Sequence, residues 1–565
     1  MAIYELTTPY EEKLDRSCPH SYYPRPSLVR DSYISLNGEW DFGITASPSD
    51  MRYGEKILLP FPPESRLSGI KREIGDGDYM HYRREVELPS GFLKDKLILH
   101  FGAIDQEAWV YVNSRYVGGR LGGYIPFEFD IAPFIDGDRF VIEVVVRDTL
   151  DERYPYGKQT KKRGGMWYTP VSGIWQSVWL ESLPEEHICK LKFTNIEGGV
   201  HLSVIGGVEK KKVVVDGEGV YEFEGEGCDI LPEEPKLWSP EVPNLYTVTV
   251  ECGEDTVKSY FAIRTVGVKQ INGVKRLTLN GEPYVFNGLL DQGYYPDGIF
   301  MPATEQGYLD DIRMAKSLGF NMLRKHIKIE PEIFYYLCDR EGIAVFQDMV
   351  NNSHYSFIHD TALPTVGLQR LSDKRMHPDP TSRSIFIKTM KETAELLYNH
   401  PSVVYYTIFN EGWGQFAADE VYPILKELDP TRIIDSTSGW FRQKKSDVDS
   451  RHIYFKPLKP KGLTGEPLSI SEFGGYALRL EGHIYTDKYY GYKLFDNKED
   501  FEAAIIALYD NEVLPLVKAG ASAFVYTQVS DVEDETNGFV TYDRRMVKVD
   551  AERVREHIGA CSGKK

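Results

Sequence analysis

The sequence predicts a multidomain β + α/β chain: an N-terminal jelly-roll β-sandwich, an immunoglobulin-like β-sandwich and a C-terminal (β/α)8 TIM barrel. Three observations lead there. At 565 residues the chain is too long for one ordinary domain. Its first half breaks into short strand-like runs between turn residues. Its second half alternates strand runs with helical patterns, and two of those strands finish in glutamate followed by glycine.

Composition narrows the function class. The net charge is −19, from 66 basic and 85 acidic residues, with no long basic block. That argues against nucleic acid or an anionic membrane as a main partner. Apolar content of 42% supports sizeable cores, and the 13% aromatic content suits stacking on sugar rings as well as it suits any β-rich core. The N-terminus, MAIYELTTPYEEKLDR, has no apolar segment of the secretory kind. No run of about 18 apolar residues predicts a membrane span. Cys18, Cys189, Cys228, Cys252, Cys338 and Cys561 are scattered with no CxxC. They read as free thiols in a reducing cytoplasm, and no metal cluster is suggested.

Taken in order, residues 1 to about 30 form a Tyr- and Pro-rich lead-in. SLNGEWDFGI, YMHYRREVELP, DKLILHFGAI, EAWVYVNSRYVGGRLGG, DRFVIEVVVRD and IWQSVWLESL follow as strands of a jelly roll over 1–184. Arg153 to Tyr168 is a basic, Tyr- and Gly-rich loop. It reads first as solvated and second as a loop reaching toward a site elsewhere. HLSVIGG, KKVVVDG, GVYEFEG, LYTVTVEC and KSYFAIRTVGV predict the immunoglobulin-like unit over 185–265, a scaffold by default. The barrel takes 266–565. Its eight strands are PYVFNGLLD, FNMLRKH, IAVFQDM, VVYYTIFN, RIIDSTSG, HIYFKP, PLSIS and ASAFVYTQVSD. Helices are expected over Glu305 to Leu318, around Phe334, Tyr335, Leu337 and Cys338, and over Arg383 to Tyr398.

In such a barrel the active site lies at the C-terminal strand ends. Glu411 ends the fourth strand and Glu472 the seventh. A carboxylate there, followed by glycine, is badly placed for packing and well placed for chemistry. The pair fits a glycosidase, in which one protonated acid and one carboxylate flank a glycosidic bond. The plainer alternative is two salt-bridged or surface residues. Asp291, Arg324, Lys325, His326, Asp348, Ser438, Trp440, Tyr454, Lys456 and Gln528 share the strand-end position.

Dispersed motifs in order then carry a resemblance: PRPSLVRDSYISLNGEWDF, YRREVELP, FGAIDQEAWVYVN, GGYIPFEFDI, SGIWQSVWLE, LWSPEVPNLYTVTV, FAIRTVGV, NGEPYVFNG, NMLRKH, FNEGWG and SEFGG. The chain resembles glycoside hydrolase family 2, the family of β-galactosidases, β-glucuronidases and β-mannosidases. The resemblance implies retention of anomeric configuration. It gives Glu411 the acid/base position, Glu472 the nucleophile position and Asn410 the contact to the sugar 2-hydroxyl. It places His326 in the family's histidine motif, Tyr454 as the tyrosine bonding the nucleophile, and Tyr526 at the aromatic platform near strand eight. Asp291, Trp440 and Lys325 complete the expected substrate contacts. The family's Ser-His-Tyr-Pro run is here Lys325-His326-Ile327-Lys328. The segment after strand one is LLDQGYYPDG, so the large β-galactosidases' magnesium and sodium sites are not carried over. No Asn-x-Lys carboxylate clamp follows SEFGG. Arg324, Lys325, Lys328 and Lys456 stand either as holders of a uronic acid or as solvated or acid-paired residues.

The expected function is a retaining exo-β-glycosidase for terminal β-galactosides or β-uronides. The narrower alternative is a β-glucuronidase or β-galacturonidase, and the alternative from another class is a non-catalytic carbohydrate-binding or scaffold protein. The chemistry requires no cofactor. Its partner is a small-molecule glycoside, and the resemblance leaves room for a homo-oligomer.

Overall fold

The computed structural model describes residues 3–365, 372–459, 463 and 465–564. Strand alternation builds the first domain. In Gly38–Thr45, Trp40 and Phe42 are buried while Asp41 between them is half-buried and Glu39 before them is exposed. That strand lies in a six-stranded antiparallel sheet with Glu55–Leu59, Tyr79–Glu87, Arg139–Arg147, Glu107–Val112 and Arg115–Leu121. A second sheet orders Tyr33–Ser35, Val178–Leu183, Lys96–Phe101 and Phe127–Asp130. Trp40, Phe42, Leu99, Val110, Val144 and Leu180 belong to one shared core. Glu55–Leu59, Tyr33–Ser35 and Phe127–Asp130 were not among the expected strands. All three are short sheet edges, where too few inward positions exist for alternation to show.

The second domain packs Ile188–Ile196, Gly199–Gly206 and Gly227–Ile230 on a sheet of Gly219–Glu224, Lys210–Val215, Tyr246–Cys252 and Asp255–Phe261. Its core includes Leu191, Phe193, Leu202, Val213 and Val248. It adds Ile188–Ile196 and Gly227–Ile230 to the five expected strands.

The barrel strands are β1 (Glu282–Asp291), β2 (Met322–Lys325), β3 (Ala344–Asp348), β4 (Val403–Asn410), β5 (Ile433–Ser438), β6 (Asp449–Ile453), β7 (Leu468–Gly474) and β8 (Ala523–Thr527). They pair in parallel in the order β5-β4-β3-β2-β1-β8-β7-β6. Side chains join the two ends of that order: Ser438 Oγ lies 2.8 Å from His452 Nε2. The hairpin Val266–Ile271 and Val274–Leu279 runs antiparallel to the start of β1 and closes the floor with Leu277 and Leu279.

Helices α1 (Gln306–Ser317), α2 (Glu332–Glu341), α3 (Pro380–Leu397), α4 (Ala418–Leu428), α5 (Lys498–Leu508) and α6 (Ala551–Gly559) surround the strands. Alternation sorts each strand between two cores. Leu290, Met322, Phe346, Tyr405 and Val525 fill the barrel interior. Leu289, Leu323, Val345, Tyr406 and Tyr526 face the helices. Among the described residues no helix is long and apolar enough to cross a membrane.

Candidate active site

Every residue of β4 is buried. The chain leaves it through Glu411, which has a left-handed φ of 54°. Such strain at a non-glycine residue costs about 1–3 kcal/mol and persists only where the surroundings enforce it. Here the Glu411 N–H donates to Ser438 O at 2.9 Å. Gly412 follows with φ 77°, and a Cβ there would sit 2.2 Å from Phe441 Cδ2. Only glycine fits, so the turn fixes the direction of the preceding carboxylate.

That carboxylate meets β6 and β7. Glu411 Oε1 lies 2.7 Å from His452 Nδ1, which is 3.6 Å from Glu472 Oε2. One oxygen of each glutamate and this nitrogen all fall within 4.8 Å of one another. Of these three atoms, only the Glu411 oxygen and the His452 nitrogen are within hydrogen-bond distance of each other.

Glu472 is 5% exposed. Arg324 Nη1 donates to its Oε1 at 3.1 Å, and the Tyr454 hydroxyl donates to its Oε2. Burial alone pushes this carboxyl up. His452, Arg324, His326 and the Tyr454 hydroxyl override that and hold it down at about 2. Glu472 is therefore ionised at neutral pH.

Arg324 organises the floor of the site. Its Nε donates to both Asp348 oxygens at 2.9 and 3.1 Å, and its Nη1 to Ser471 O at 2.8 Å. Its Nη2 donates to Asn410 Oδ1 at 2.9 Å, which leaves the Asn410 amide nitrogen for a ligand. His326 Nδ1 bonds Asp348 Oδ2 at 2.7 Å. Burial, with the Lys158 charge, lowers His326 despite that carboxylate.

A cluster of hydroxyls braces His452 from behind. Ser471 Oγ donates to Arg451 O, and Ser438 Oγ donates to Ser471 Oγ. The His452 ring is thus held at both nitrogens, by Ser438 Oγ at Nε2 and by Glu411 Oε1 at Nδ1.

Aromatic rings wall the mouth. Trp440 donates its indole N–H to Glu411 O at 3.1 Å and stands edge-on to His452. Tyr492 stacks on Tyr454 at 3.8 Å. Trp413, two residues beyond Glu411, packs edge-on to Trp167 at 5.0 Å, and Tyr355 lies 4.8 Å from Trp167.

Trp167 comes from the first domain. The basic loop expected first as solvated in fact crosses to the barrel. Tyr156 N–H donates to Asn351 O at 3.1 Å, Thr169 N–H donates to Glu533 at 2.8 Å, and the Tyr168 hydroxyl donates to Glu535. Burial pushes the Glu535 carboxyl up to about 7.

Of the residues singled out from sequence, Glu411, Glu472, Asn410, His326, Tyr454 and Trp440 converge here. Three expected contacts do not. Lys325 turns outward, because alternation on β2 points Arg324 into the barrel. Its ammonium bonds Asp291 at 2.7 Å and Glu330 at 2.8 Å and lies over the Phe334 ring of α2. Asp291 is spent on that pair. Tyr526 is fully buried against Phe473 and Phe539 on the helix side of β8. Its neighbour Thr527 reaches Tyr454 instead, at 3.1 Å between oxygens. Lys328 is likewise buried, on Glu330 at 2.9 Å. His452 was missed as a site residue. In the expected strand HIYFKP it stands two before Tyr454, which puts both on the same face, and that was the available signal.

Comparison with known proteins agrees with this architecture. Residues 69–184 match the glycosyl hydrolases family 2 sugar binding domain. Residues 190–264 match glycosyl hydrolases family 2, and residues 270–461 its TIM barrel domain. A β-galactosidase of Aeromonas hydrophila is 25% identical over 549 residues, covering 84% of this chain and 50% of that protein. The β-galactosidase large subunit of Latilactobacillus sakei is 22% identical, covering 76% and 68%. The chain spans about half the length of most of the curated relatives it matches. Among solved structures, a β-D-glucuronidase of Dictyoglomus thermophilum superposes with a TM-score of 0.72 at 19% identity, covering 95% of this chain and 98% of that one. A β-galacturonidase of Eisenbergiella tayi bound to galacturonate gives 0.70 at 21%, covering 95% and 99%. At those identities the solved structures speak for the fold alone. With three of its models matched in chain order, the chain belongs to glycoside hydrolase family 2.

Proposed function

We propose that this chain is a retaining exo-β-glycosidase for terminal β-linked sugars, galactosides or uronides. One observation carries the reading. One carboxylate oxygen of Glu411 and one of Glu472 lie within 4.8 Å of each other, with His452 bonded to Glu411 beside them. Retaining enzymes hold their carboxyls about 5–5.5 Å apart, whereas inverting enzymes need about 6.5–9.5 Å to admit a water.

The roles follow from the charges. Glu472, ionised, attacks the anomeric carbon and forms a glycosyl ester as the glycosidic C–O bond breaks. Glu411 gives its proton to the departing oxygen. A water then enters, Glu411 takes its proton, and the hydroxide oxygen displaces Glu472. The sugar leaves with its configuration retained, and both carboxyls return to their starting states. Asn410 and His326 line the face where the ring sits. His452 adjoins the acid and is a positioning residue for its proton.

The test is hydrolysis of aryl β-galactoside, glucuronide, galacturonide, glucoside and mannoside by wild type and Glu472→Gln, with the first-formed anomer read by NMR. The expected result is a β-anomer product from one or more of the five, lost in the variant. An α-anomer product, or a Glu472→Gln protein as active as wild type, rejects the mechanism. A well-folded wild type inert on all five supports a binding protein instead.

A further inference from the structure

The buried lysines of this chain have a common habit. Lys325, Lys328 and Lys548 each bond a carboxylate. Lys211 donates to the carbonyls of Val208 and Gly225. Lys158 breaks the habit. It is 8% exposed, yet among the described residues its ammonium has no hydrogen bond and no carboxylate within 4.0 Å. A buried ammonium without a counter-charge is costly. It stands over the face of Trp167, 5.7 Å from ammonium to ring centroid.

Its place is the mouth of the barrel. Gly157, with φ 63°, lies so close to β2's exit that a Cβ would sit 2.7 Å from Ile327 O. Ile327 follows His326. The Lys158 charge acts on His326 and on Glu535, whose own surroundings include Glu472. The backbone on both sides is pinned. Gln159 Nε2 donates to Asp105 at 3.1 Å and to Tyr124 at 3.2 Å. Lys158 O accepts from Tyr168 N–H at 3.0 Å. The backbone that carries the lysine is thus held in place before any ligand arrives, which saves part of the ordering entropy on binding.

We propose that Lys158, supplied by the first domain, receives the carboxylate of a β-linked hexuronic acid bound at the glutamate pair. This deepens the glycosidase reading and rests on it for turnover. Arg324, Lys325 and Lys328 are already committed to Asp348, Glu472, Asp291 and Glu330, so they do not serve that group. A neutral sugar hydroxyl would supply a hydrogen bond to Lys158 but no counter-charge. A phosphate dianion would add two charges to a mouth that already holds Glu411, Glu472 and Glu535. A single carboxylate balances the ammonium.

Two measurements test it. In the first, calorimetry follows binding of free galacturonate and glucuronate, against galactose and glucose, to wild type, Lys158→Met and Lys158→Arg. Uronate is expected to bind wild type more tightly than its neutral counterpart, and to lose about 10- to 100-fold in Lys158→Met with much of that kept in Lys158→Arg. Equal binding of uronate and neutral sugar by wild type overturns the inference without any variant having to fold. The second compares kcat/KM on aryl uronides and neutral glycosides. Lys158→Met should lose about 10- to 100-fold on uronides and less than about threefold on the others. Equal losses on both overturn it, as does preference for a 6-phosphorylated galactoside. If no glycoside is cleaved by wild type, the glycosidase reading fails and the binding measurement still decides for or against Lys158.

Discussion

Replacing Arg324 with methionine should damage stability and chemistry together. The guanidinium is 1% exposed and is the cation shared by Asp348 and Glu472. Methionine keeps much of the volume and removes every donor. Two buried carboxylates are then left with His326, His452 and Tyr454 and no arginine. Breaking a buried ion pair from one side costs about 3–5 kcal/mol. At roughly 2–4 °C per kcal/mol for a large domain, the melting temperature should fall by about 10 °C.

The pH dependence carries the sign. Glu472 is held at about 2 from an ordinary 4.5, and Asp348 is also held down, against its own burial, chiefly by Arg324 and His326. A carboxyl depressed in the folded state contributes stability that is present above its unfolded pKa. That stability is lost as pH falls through the folded value. Arg324→Met should therefore show its full penalty at pH 7 and a smaller one below about 4.5, where carboxyls begin to protonate without the arginine. The assay is thermal unfolding by circular dichroism across that range, with Asp348→Asn and the double variant alongside. The double variant should be less destabilised than the sum of the singles, by about 0.5–3 kcal/mol. Additive effects, or an Arg324→Met penalty as large at pH 4 as at pH 7, would refute the reasoning.

Tyr454→Phe removes a donor to an ionised carboxylate, worth about 1.5–3 kcal/mol, so kcat/KM at neutral pH should drop by about 10- to 100-fold with the fold intact. Glu411→Gln and His452→Gln should both slow alkyl glycosides far more than glycosides with acidic phenol leaving groups, because the latter need no proton; a uniform loss in His452→Gln would remove it from the proton's path. Tyr526→Phe loses only a hydroxyl that accepts from Tyr476 N–H and should leave KM unchanged, whereas a substrate platform would show a raised KM. Gly157→Ala forces a Cβ against Ile327 O at a left-handed φ; it should raise KM by displacing Lys158 and Trp167, and an unchanged KM would separate that loop from the substrate.

The layers of this fold were legible because each depends on a period. Alternation in GEWDF marks a half-buried sheet, and the fully apolar VVYYTIF marks a strand covered on both faces. The two glutamates were legible because nothing in packing explains an acid at the end of such a strand. Residues one position away were harder. Lys325 and Tyr526 look as promising as Arg324 and Thr527 until the register says which of each pair points inward. A strand end known only to within a residue or two cannot supply that. His452 went unseen for another reason. Its value lies in touching Glu411 from β4 and Ser438 from β5, contacts that exist only once the barrel curls β6 round to them.

The role of the first domain was the least legible, and it bears most on specificity. A (β/α)8 barrel alone could hold Glu411, Glu472, Arg324 and His452, since all four stand on its own strands or just beyond them. The wall and the spare cation are different. Trp167 and Lys158 belong to a stretch tied to the jelly roll through Gln159 on Asp105 and, beyond it, Trp175 on Gly123 O. The same stretch is tied to the barrel through Tyr156 and Tyr168. Under the proposed function, the chemistry and the choice of sugar sit on separate domains that meet at the mouth. Changes to that loop can alter which glycone is accepted without touching the glutamates. Changes to β4 or β7 remove turnover whatever the sugar.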